Sequence, residues 1–278
     1  LRISKKMKNL IEIIKKILPQ NILKFIYNIK YQNVKYLGPY STWENAKTDS
    51  MGWSDKKILN KVKESTLKAM INENIYERDG EILYDKNYPK NIVNFLNSKI
   101  KENDLIIDAG GSLGSLYFHI RSKLNINNLR WCVIEQPSYV ELGNNLIKNK
   151  ELSFYNNLND IKQNNNSIII LSSFLQYIET PEKYIEQIEH SKFINYIIID
   201  RLILSNSNKD VIYVQKNPKK YLNSSYPIRI FSNQNFLNYF KNFKVVLKGD
   251  SYIGNNFQLS GNQLNYCNII LSRIKSPE

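Results

Sequence analysis

The sharpest chemical signal in the chain is the stretch Leu105-Ile-Ile-Asp108-Ala-Gly110-Gly111-Ser-Leu-Gly114. An apolar run ends in an acid, and a glycine turn then leads into a helix-like stretch carrying Leu116, Phe118 and Ile120. Glycines in such a turn let the backbone pass close to a ligand, and the first N–H groups of the following helix are free to meet a carboxylate or phosphate. The next apolar run closes on Glu135, where an acid accepts both hydroxyls of a ribose. Together these residues suit a nucleoside-bearing cofactor. An acid at the start of the turn opposes a dinucleotide's pyrophosphate, whereas Asp108 suits a cationic amino group such as that of the methionyl part of S-adenosylmethionine.

A second set of chemical residues closes two later apolar runs, as Ser172-Ser173-Phe174-Leu175-Gln176-Tyr177 and as Asp200-Arg201. Open α/β sheets bind ligands at the carboxyl ends of their strands, so a second substrate belongs over these two ends. In-line displacement needs an aligned nucleophile and, for a hydroxyl, a base for its proton. Asp200 and Tyr177 are the candidate bases. Arg201 can anchor a phosphate or carboxylate bidentately, or else form a structural ion pair with Asp200. Gln176, Tyr226 and Arg229, with Tyr221 and the Asn-rich stretch 249–262, can line a polar acceptor pocket, because aromatic faces and amides suit sugars. Both histidines read as structural, His119 on the helix after the glycine turn and His190 at a helix C-terminus, where a cation suits the dipole. Cys132 and Cys267 lie far apart with no metal-ligand spacing, so neither a disulfide framework nor a metal centre is expected.

These residues require a particular set of elements. Short β-branched runs at Leu105–Asp108, Arg130–Glu135, Leu152–Tyr155, Ile168–Ser172 and Tyr196–Asp200 alternate with helix-period segments at Leu113–Leu124, Tyr139–Lys148 and Pro181–His190. That alternation predicts βαβ units and a parallel sheet buried on both faces. A helix over Asn233–Phe240 and β runs at Phe243–Lys248 and Tyr266–Ser272 are expected to finish it, the last strand antiparallel. Ahead of the sheet, residues 37–101 read as a helical cap, with helices at Ile58–Met70 and Ile92–Ile100, leaving 102–278 as the cofactor-binding domain.

The 278 residues carry a formal charge of +14, and between Leu1 and Tyr36 nine basic residues face a single acid, Glu12. Ile3, Met7, Leu10, Ile14, Ile17 and Leu18 recur there at helical spacing, which makes residues 1–36 a basic amphipathic arm. Such an arm either lies on an anionic membrane surface or packs on its own domain or a second subunit, as in a homodimer. No apolar window is long enough for a membrane span or signal peptide, and the cysteines read as reduced, so a cytoplasmic protein is expected.

Asp108-x-Gly110-Gly111-x-x-Gly114 followed by a strand-end Glu135 resembles the first two motifs of class I S-adenosylmethionine-dependent methyltransferases. A narrower likeness covers residues 37 to 273. Gly38 with Trp43, Ala46, Gly52 and Trp53, then Tyr76-Glu77-Arg78-Asp79, Val133-Ile-Glu135-Gln136-Pro137, Leu175-Gln176-Tyr177, Ile199-Asp200-Arg201 and Ser225-Tyr226-Pro227 resemble a little-characterised bacterial methyltransferase family. Its members tend to be encoded among surface-polysaccharide genes. The resemblance implies a Rossmann-like α/β fold with a mostly parallel seven-stranded sheet, its last strand antiparallel, and an N-terminal helical cap. It implies S-adenosylmethionine as cofactor, with Asp108, Gly110, Gly111 and Gly114 holding the methionyl part, Glu135 the ribose, Gln136 the edge of the adenosine pocket, Asn157 and Leu158 near the adenine, and Ser172 closing the site. It further implies O-methylation of a sugar or other precursor. The Tyr76 to Asp79 cluster reads as a lid over the cofactor or as an ordinary solvated turn. A pI near 9.5 offers an RNA methyltransferase as rival. The charge, however, is concentrated in the arm, and the strand-four end lacks a base-methylating motif, so no nucleic-acid partner is expected. A non-catalytic scaffold is the other rival.

Overall fold

A computed structural model describes residues 34–52, 56–72, 75–83, 88–162, 166–218, 224–253 and 256–274. The basic arm therefore lies outside the described residues except at its last positions. Among the described residues no helix is long and apolar enough to cross a membrane.

Leu105–Ala109 (β4) is buried at every position, as are the Ile168–Leu171 run of Ser167–Ser172 (β7) and the Ile197–Ile199 run of Ile194–Ser205 (β8). Strands covered on both faces become continuous apolar runs, which is why these segments read so plainly. Ile107 and Ile169 point to one face, against Ile185 and Ile188 of a helix at Pro181–His190. Ile106, Ile168 and Ile170 point to the other, against Trp131, Tyr117 and a helix at Lys90–Lys99. With Arg130–Ile134 (β5) and Leu152–Tyr155 (β6), these strands run parallel in the order β6-β5-β4-β7-β8. Asn262–Arg273 (β13) joins β8 antiparallel, and Phe243–Asp250 (β11) pairs antiparallel with β13. Seven strands with one reversed member form the mostly parallel, Rossmann-like sheet that the sequence led us to expect.

The sheet does not stop there. β8 runs beyond its expected end at Asp200 to Ser205, and its last residues pair in parallel with Ser225–Ser232 (β10). β10 pairs antiparallel with Val211–Lys216 (β9), and β9 with Lys35–Tyr40 (β1), which extends the sheet to eleven strands, Phe257–Leu259 (β12) included. The departure occurs at a bulge. Cys267 pairs with Leu202 and Ile269 with Ile199, so Asp200 and Arg201 together oppose Asn268. Within this bulge Arg201 takes the left-handed φ of 53°, which is uncommon for a non-glycine residue.

Several expected boundaries change. The helix expected over Asn233–Phe240 is a single 3-10 turn, Phe236–Tyr239, which buries Phe236. Leu113–Leu124 shortens to Ser115–Ile120 followed by a 3-10 turn at Arg121–Lys123. Residues 37–101 hold helices at Trp43–Thr48, Lys56–Met70 and Lys90–Lys99, but also most of β1 and a hairpin of Tyr76–Arg78 (β2) and Glu81–Leu83 (β3). In number order we label the helices α1 (Trp43–Thr48), α2 (Lys56–Met70), α3 (Lys90–Lys99), α4 (Ser115–Ile120), α5 (Pro137–Leu146) and α6 (Pro181–His190).

Arg273 joins the last strand to the end of α6. Its Nε donates to Ile194 O at 2.7 Å, and its two Nη atoms donate to the carbonyls of Glu189, Ile188 and Ser191 at 3.0 to 3.1 Å. A guanidinium suits helix C-terminal carbonyls because they are otherwise orphaned and the dipole is negative there. Charged hydrogen bonds of this kind are worth about 1.5–3 kcal/mol each, so Arg273→Ala should lower the unfolding free energy by about 3 kcal/mol in urea titrations. Arg273→Lys should recover only part of it, since a point donor cannot span four carbonyls.

Candidate functional site

A cavity of about 1130 Å³ opens over the carboxyl ends of β4, β5, β7 and β8. On one side lies the glycine turn. Gly110 N–H donates to Ile134 O at 2.9 Å, which fixes the turn against the neighbouring strand. A Cβ at Gly110 would stand 2.6 Å from the Phe174 ring, and one at Gly111 would stand 2.6 Å from the Asp108 carboxyl. Gly110 and Gly114 also hold φ of 70° and 84°, the second as the residue that starts α4. Gly110 faces the cavity, whereas Gly111 and Gly114 shape the turn from behind.

Glu135 sits at the end of β5 with one carboxylate oxygen accepting from Ser112 N at 3.3 Å and the other from Gln136 N at 2.8 Å. Two N–H donors hold the carboxylate, which lines the cavity and keeps lone pairs able to accept from a diol. Gln136 and Asn157 line the same end. Leu158 does not: it is buried in the core beneath. Asp108 is also displaced from its expected contact. It is 2% exposed, lies under the turn, accepts from the Trp131 indole at 3.3 Å, and burial pushes its carboxyl up to about 7.

The opposite wall comes from β7, β8 and the added strands. Ser172, Ser173, Phe174, Tyr177, Arg201 and Tyr226 all face the cavity. Asp200 does not. Only 2% exposed, it accepts from Ser251 Oγ at 2.9 Å and Asn268 Nδ2 at 3.2 Å, while Ser172 Oγ lies 3.5 Å from its other oxygen. Arg201 Nε donates to Ser172 Oγ at 3.0 Å, so acid and guanidinium communicate through a serine and not as a direct ion pair. The expected base is thus sealed behind the bulge, where no acceptor hydroxyl reaches it. Gln176 is likewise 1% exposed, accepting from Ile203 N at 3.3 Å, and braces β8. Arg229 points away from Tyr226 because three residues along a strand reverse the face. It pairs with Glu182 at 3.2 Å and donates to Glu179 O at 2.9 Å, outside the cavity.

Several wall residues carry no motif in the sequence. Tyr177 OH donates to Gln215 Oε1 at 3.1 Å, Gln215 Nε2 to Asn217 Oδ1 at 3.1 Å, and Asn217 Nδ2 to Tyr226 OH at 2.6 Å. Tyr36 stacks on Phe257 with centroids 5.6 Å apart. Burial pushes the phenols of Tyr36, Tyr177, Tyr226 and Tyr266 above their ordinary 10, so at neutral pH they are donors and not bases. The run Val211-Ile-Tyr-Val followed by Asn217-Pro218 was the available strand signal for this wall. His119 stacks on Tyr76 at 3.9 Å, and His190 ends α6, so neither touches the cavity. Both cysteines are buried and free, and the described residues contain no group of His, Cys, Asp and Glu able to hold a metal ion.

Four non-glycine residues that face the cavity, Asp79, Ser112, Ser173 and Arg201, have φ between 51° and 56°. Left-handed backbone at such residues is unfavourable and persists only where surrounding contacts impose it. The arrangement is a preformed chamber with a carboxylate-bearing turn at one end and a phenol- and amide-lined wall at the other.

No protein-family model matches the chain, and no curated protein sequence matches it. Solved structures similar to it include an S-adenosylmethionine-dependent methyltransferase from Clostridium acetobutylicum ATCC 824, with 12% identity, a TM-score of 0.41, and 66% of this chain and 92% of that chain covered. The N-terminal domain of EvdMO1, crystallised with SAH and D-fucose, aligns over 81% of this chain and 98% of its own, with 10% identity and a TM-score of 0.46. CalS10, an amino pentose methyltransferase from Micromonospora echinaspora, aligns over 66% and 89% with 6% identity and a TM-score of 0.41.

The buried acids under the site give it a pH signature. Burial holds Asp108 and Glu77 at about 7 in the folded chain, against 3.8 and 4.5 for free carboxyls. Both stay protonated in the folded state over a range where the unfolded chain has released its protons. Stability should therefore fall as pH rises from about 4 to about 7 and level off above. Denaturant titrations from pH 5 to 8 should show this fall, and Asp108→Asn should reduce it by about 2–4 kcal/mol.

Proposed function

We propose that this chain transfers a methyl group from S-adenosylmethionine to an oxygen of a small polar acceptor, a sugar or sugar precursor of a bacterial surface polysaccharide. The observation that carries the reading is that one cavity joins Gly110, Ser112 and Glu135 to the tyrosine-lined wall with Arg201. The residues present fit the cofactor. A side chain at Gly110 would fill the path along the turn, and Glu135 offers fixed acceptors for the ribose hydroxyls. Gln136 and Asn157 supply amides for the adenine edge, and Asp108, buried beneath the turn, shapes the cradle of the methionyl part without touching it.

The cofactor supplies an electrophilic methyl on a sulfonium, open to in-line attack by an oxygen. This chain's residues do the rest. Tyr177, whose proton goes to Gln215, accepts from one hydroxyl of the acceptor, and Tyr226, which accepts from Asn217, contacts another, so that the pair orients it. Arg201, aimed by the bulge and by Ser172, meets an anionic group on the acceptor. An aromatic, amide-lined chamber favours a sugar over an RNA strand, whose phosphates call for an open basic groove. The lysine-rich residues 1–36 rest on an anionic membrane surface, which keeps a cytoplasmic enzyme beside lipid-linked precursors.

Calorimetry with S-adenosylhomocysteine should show binding by the parent chain, about tenfold weaker binding by Glu135→Gln, and none by Gly110→Val. Preferential binding of NAD would overturn the reading. Methyl-labelled cofactor with a panel of hexoses, 6-deoxyhexoses and their nucleoside-diphosphate derivatives should then label an acceptor. Arg201→Lys should raise that acceptor's KM about tenfold with little change in cofactor affinity. Failure of the whole panel, with cofactor binding intact, would favour the scaffold reading. Anionic vesicles should sediment the full chain and leave a chain starting at Leu37 in solution; equal sedimentation would assign the arm to packing or dimerisation.

A further inference from the structure

With Asp200 sealed in the sheet and the wall tyrosines protonated, the reaction proposed above lacks a proton acceptor. Among the described residues three carboxylates line the cavity: Glu135, Glu81 and Asp79. Glu135 is held by Ser112 N–H and Gln136 N–H at the end assigned to the ribose. Glu81 is bonded to Lys61 Nζ. Asp79 is exposed and has neither a hydrogen bond nor an ion pair to a described residue.

We infer that Asp79, at the tip of the β2–β3 hairpin, takes the proton of the acceptor hydroxyl during methyl transfer. Its placement is built rather than incidental. Arg78 pairs with Glu81 across the hairpin, so Asp79 and Gly80 form a two-residue loop, with φ of 52° and 74°. Two positive φ values are the mark of the tight turn that Asp-Gly favours. The turn is pinned from two sides: Gly80 N–H donates to the buried Glu77 at 2.7 Å, and Ser65 Oγ of α2 donates to Gly80 O at 2.8 Å. Glu77 also accepts from Ser115 Oγ, at the start of α4, and Tyr76 stacks on His119 of the same helix. The hairpin and the cofactor turn are therefore one block.

The tip looks across the cavity to the acceptor wall. The Asp79 charge acts on Tyr177, Tyr226 and Tyr266, and on Arg201, from the elements opposite. In the step, the acceptor oxygen forms a bond to the methyl carbon as the carbon–sulfur bond breaks and its electron pair returns to sulfur. The hydroxyl proton passes to the Asp79 carboxylate, and from that exposed position on to water. No other reactant is needed.

This inference rests on the methyltransferase reading, and its test separates the two. The acceptor is the one that labelled cofactor identifies in the sugar panel. Asparagine accepts left-handed φ and keeps the residue's shape, so Asp79→Asn should fold as the parent does and bind S-adenosylhomocysteine within threefold. Its kcat should fall by about 10²-fold or more. Glycine also suits that φ, and in Asp79→Gly added formate should restore turnover by occupying the vacated place. Turnover in Asp79→Asn within a few-fold of the parent overturns the role. So does a loss that formate fails to repair in Asp79→Gly, which would make Asp79 a positioning residue. A parent chain that binds cofactor yet labels no acceptor removes the transferase reading, and this role with it.

Discussion

A buried carboxylate sits where the sheet changes character. Asp200 would be expensive to bury alone, and Ser251, Asn268 and Ser172 make its burial tolerable by surrounding its oxygens with hydroxyl and amide groups. What this arrangement secures is the bulge. With Asp200 drawn into the sheet, the chain must turn left-handed at Arg201, and that turn sends the guanidinium toward the cavity while β8 continues in a new direction. The added strands β9 and β10, and with them the phenol-lined wall, hang from that continuation.

The same device recurs twice. Asp108 lies under the glycine turn with its oxygen on the Trp131 indole, and Glu77 lies under the Asp79–Gly80 turn with its oxygens on Gly80 N–H and Ser115 Oγ. In each case an acid shielded from water supports a neighbouring residue with positive φ that does face the cavity: Gly110, Asp79 and Arg201. The three turns come from distant parts of the sequence, so the chamber is held by local scaffolds rather than by one continuous loop. Buried polar networks of this kind become more rigid as their members find partners, which suits a site whose parts must be set before a ligand arrives; in the Asp200 network Asn268 Oδ1 is left without one.

How far all this could be read from the sequence depended on how strongly each segment's burial showed in its own residues. Runs such as Ile106-Ile107 and Ile168–Leu171 announce a doubly covered sheet, and the turn after Asp108 with Glu135 announces one end of the cavity. Asp200 misled because an acid at the end of an apolar run resembles a strand end, whereas Leu202-Ile203-Leu204 continues the strand beyond it. Arg229 misled because its face is set by its parity with Tyr226, and no parity could be assigned before β10 was recognised. Gln215 and Asn217 gave no signal of their own, since two amides become a hydrogen-bonded wall only when β9 is laid beside β10. The 3-10 turn at Phe236 replaced an expected helix because its aromatic side chains pack into the sheet and leave too few residues for a second turn.

The aromatic stack of Tyr36 on Phe257 has a consequence for the order in which the molecule can assemble. The end of the cavity around Gly110 and Glu135 is made from neighbours in sequence, residues 105 to 158, and its contacts can form while the remainder of the chain is still loose. The opposite wall joins β1 to β9 and β12, and Met51 N–H reaches Ser225 O from 174 residues away. Loop closure on that scale is slow and gains nothing until both ends meet. The Glu135 end can thus form before the tyrosine-lined wall, and a ligand that binds the first can act as a template on which the second closes.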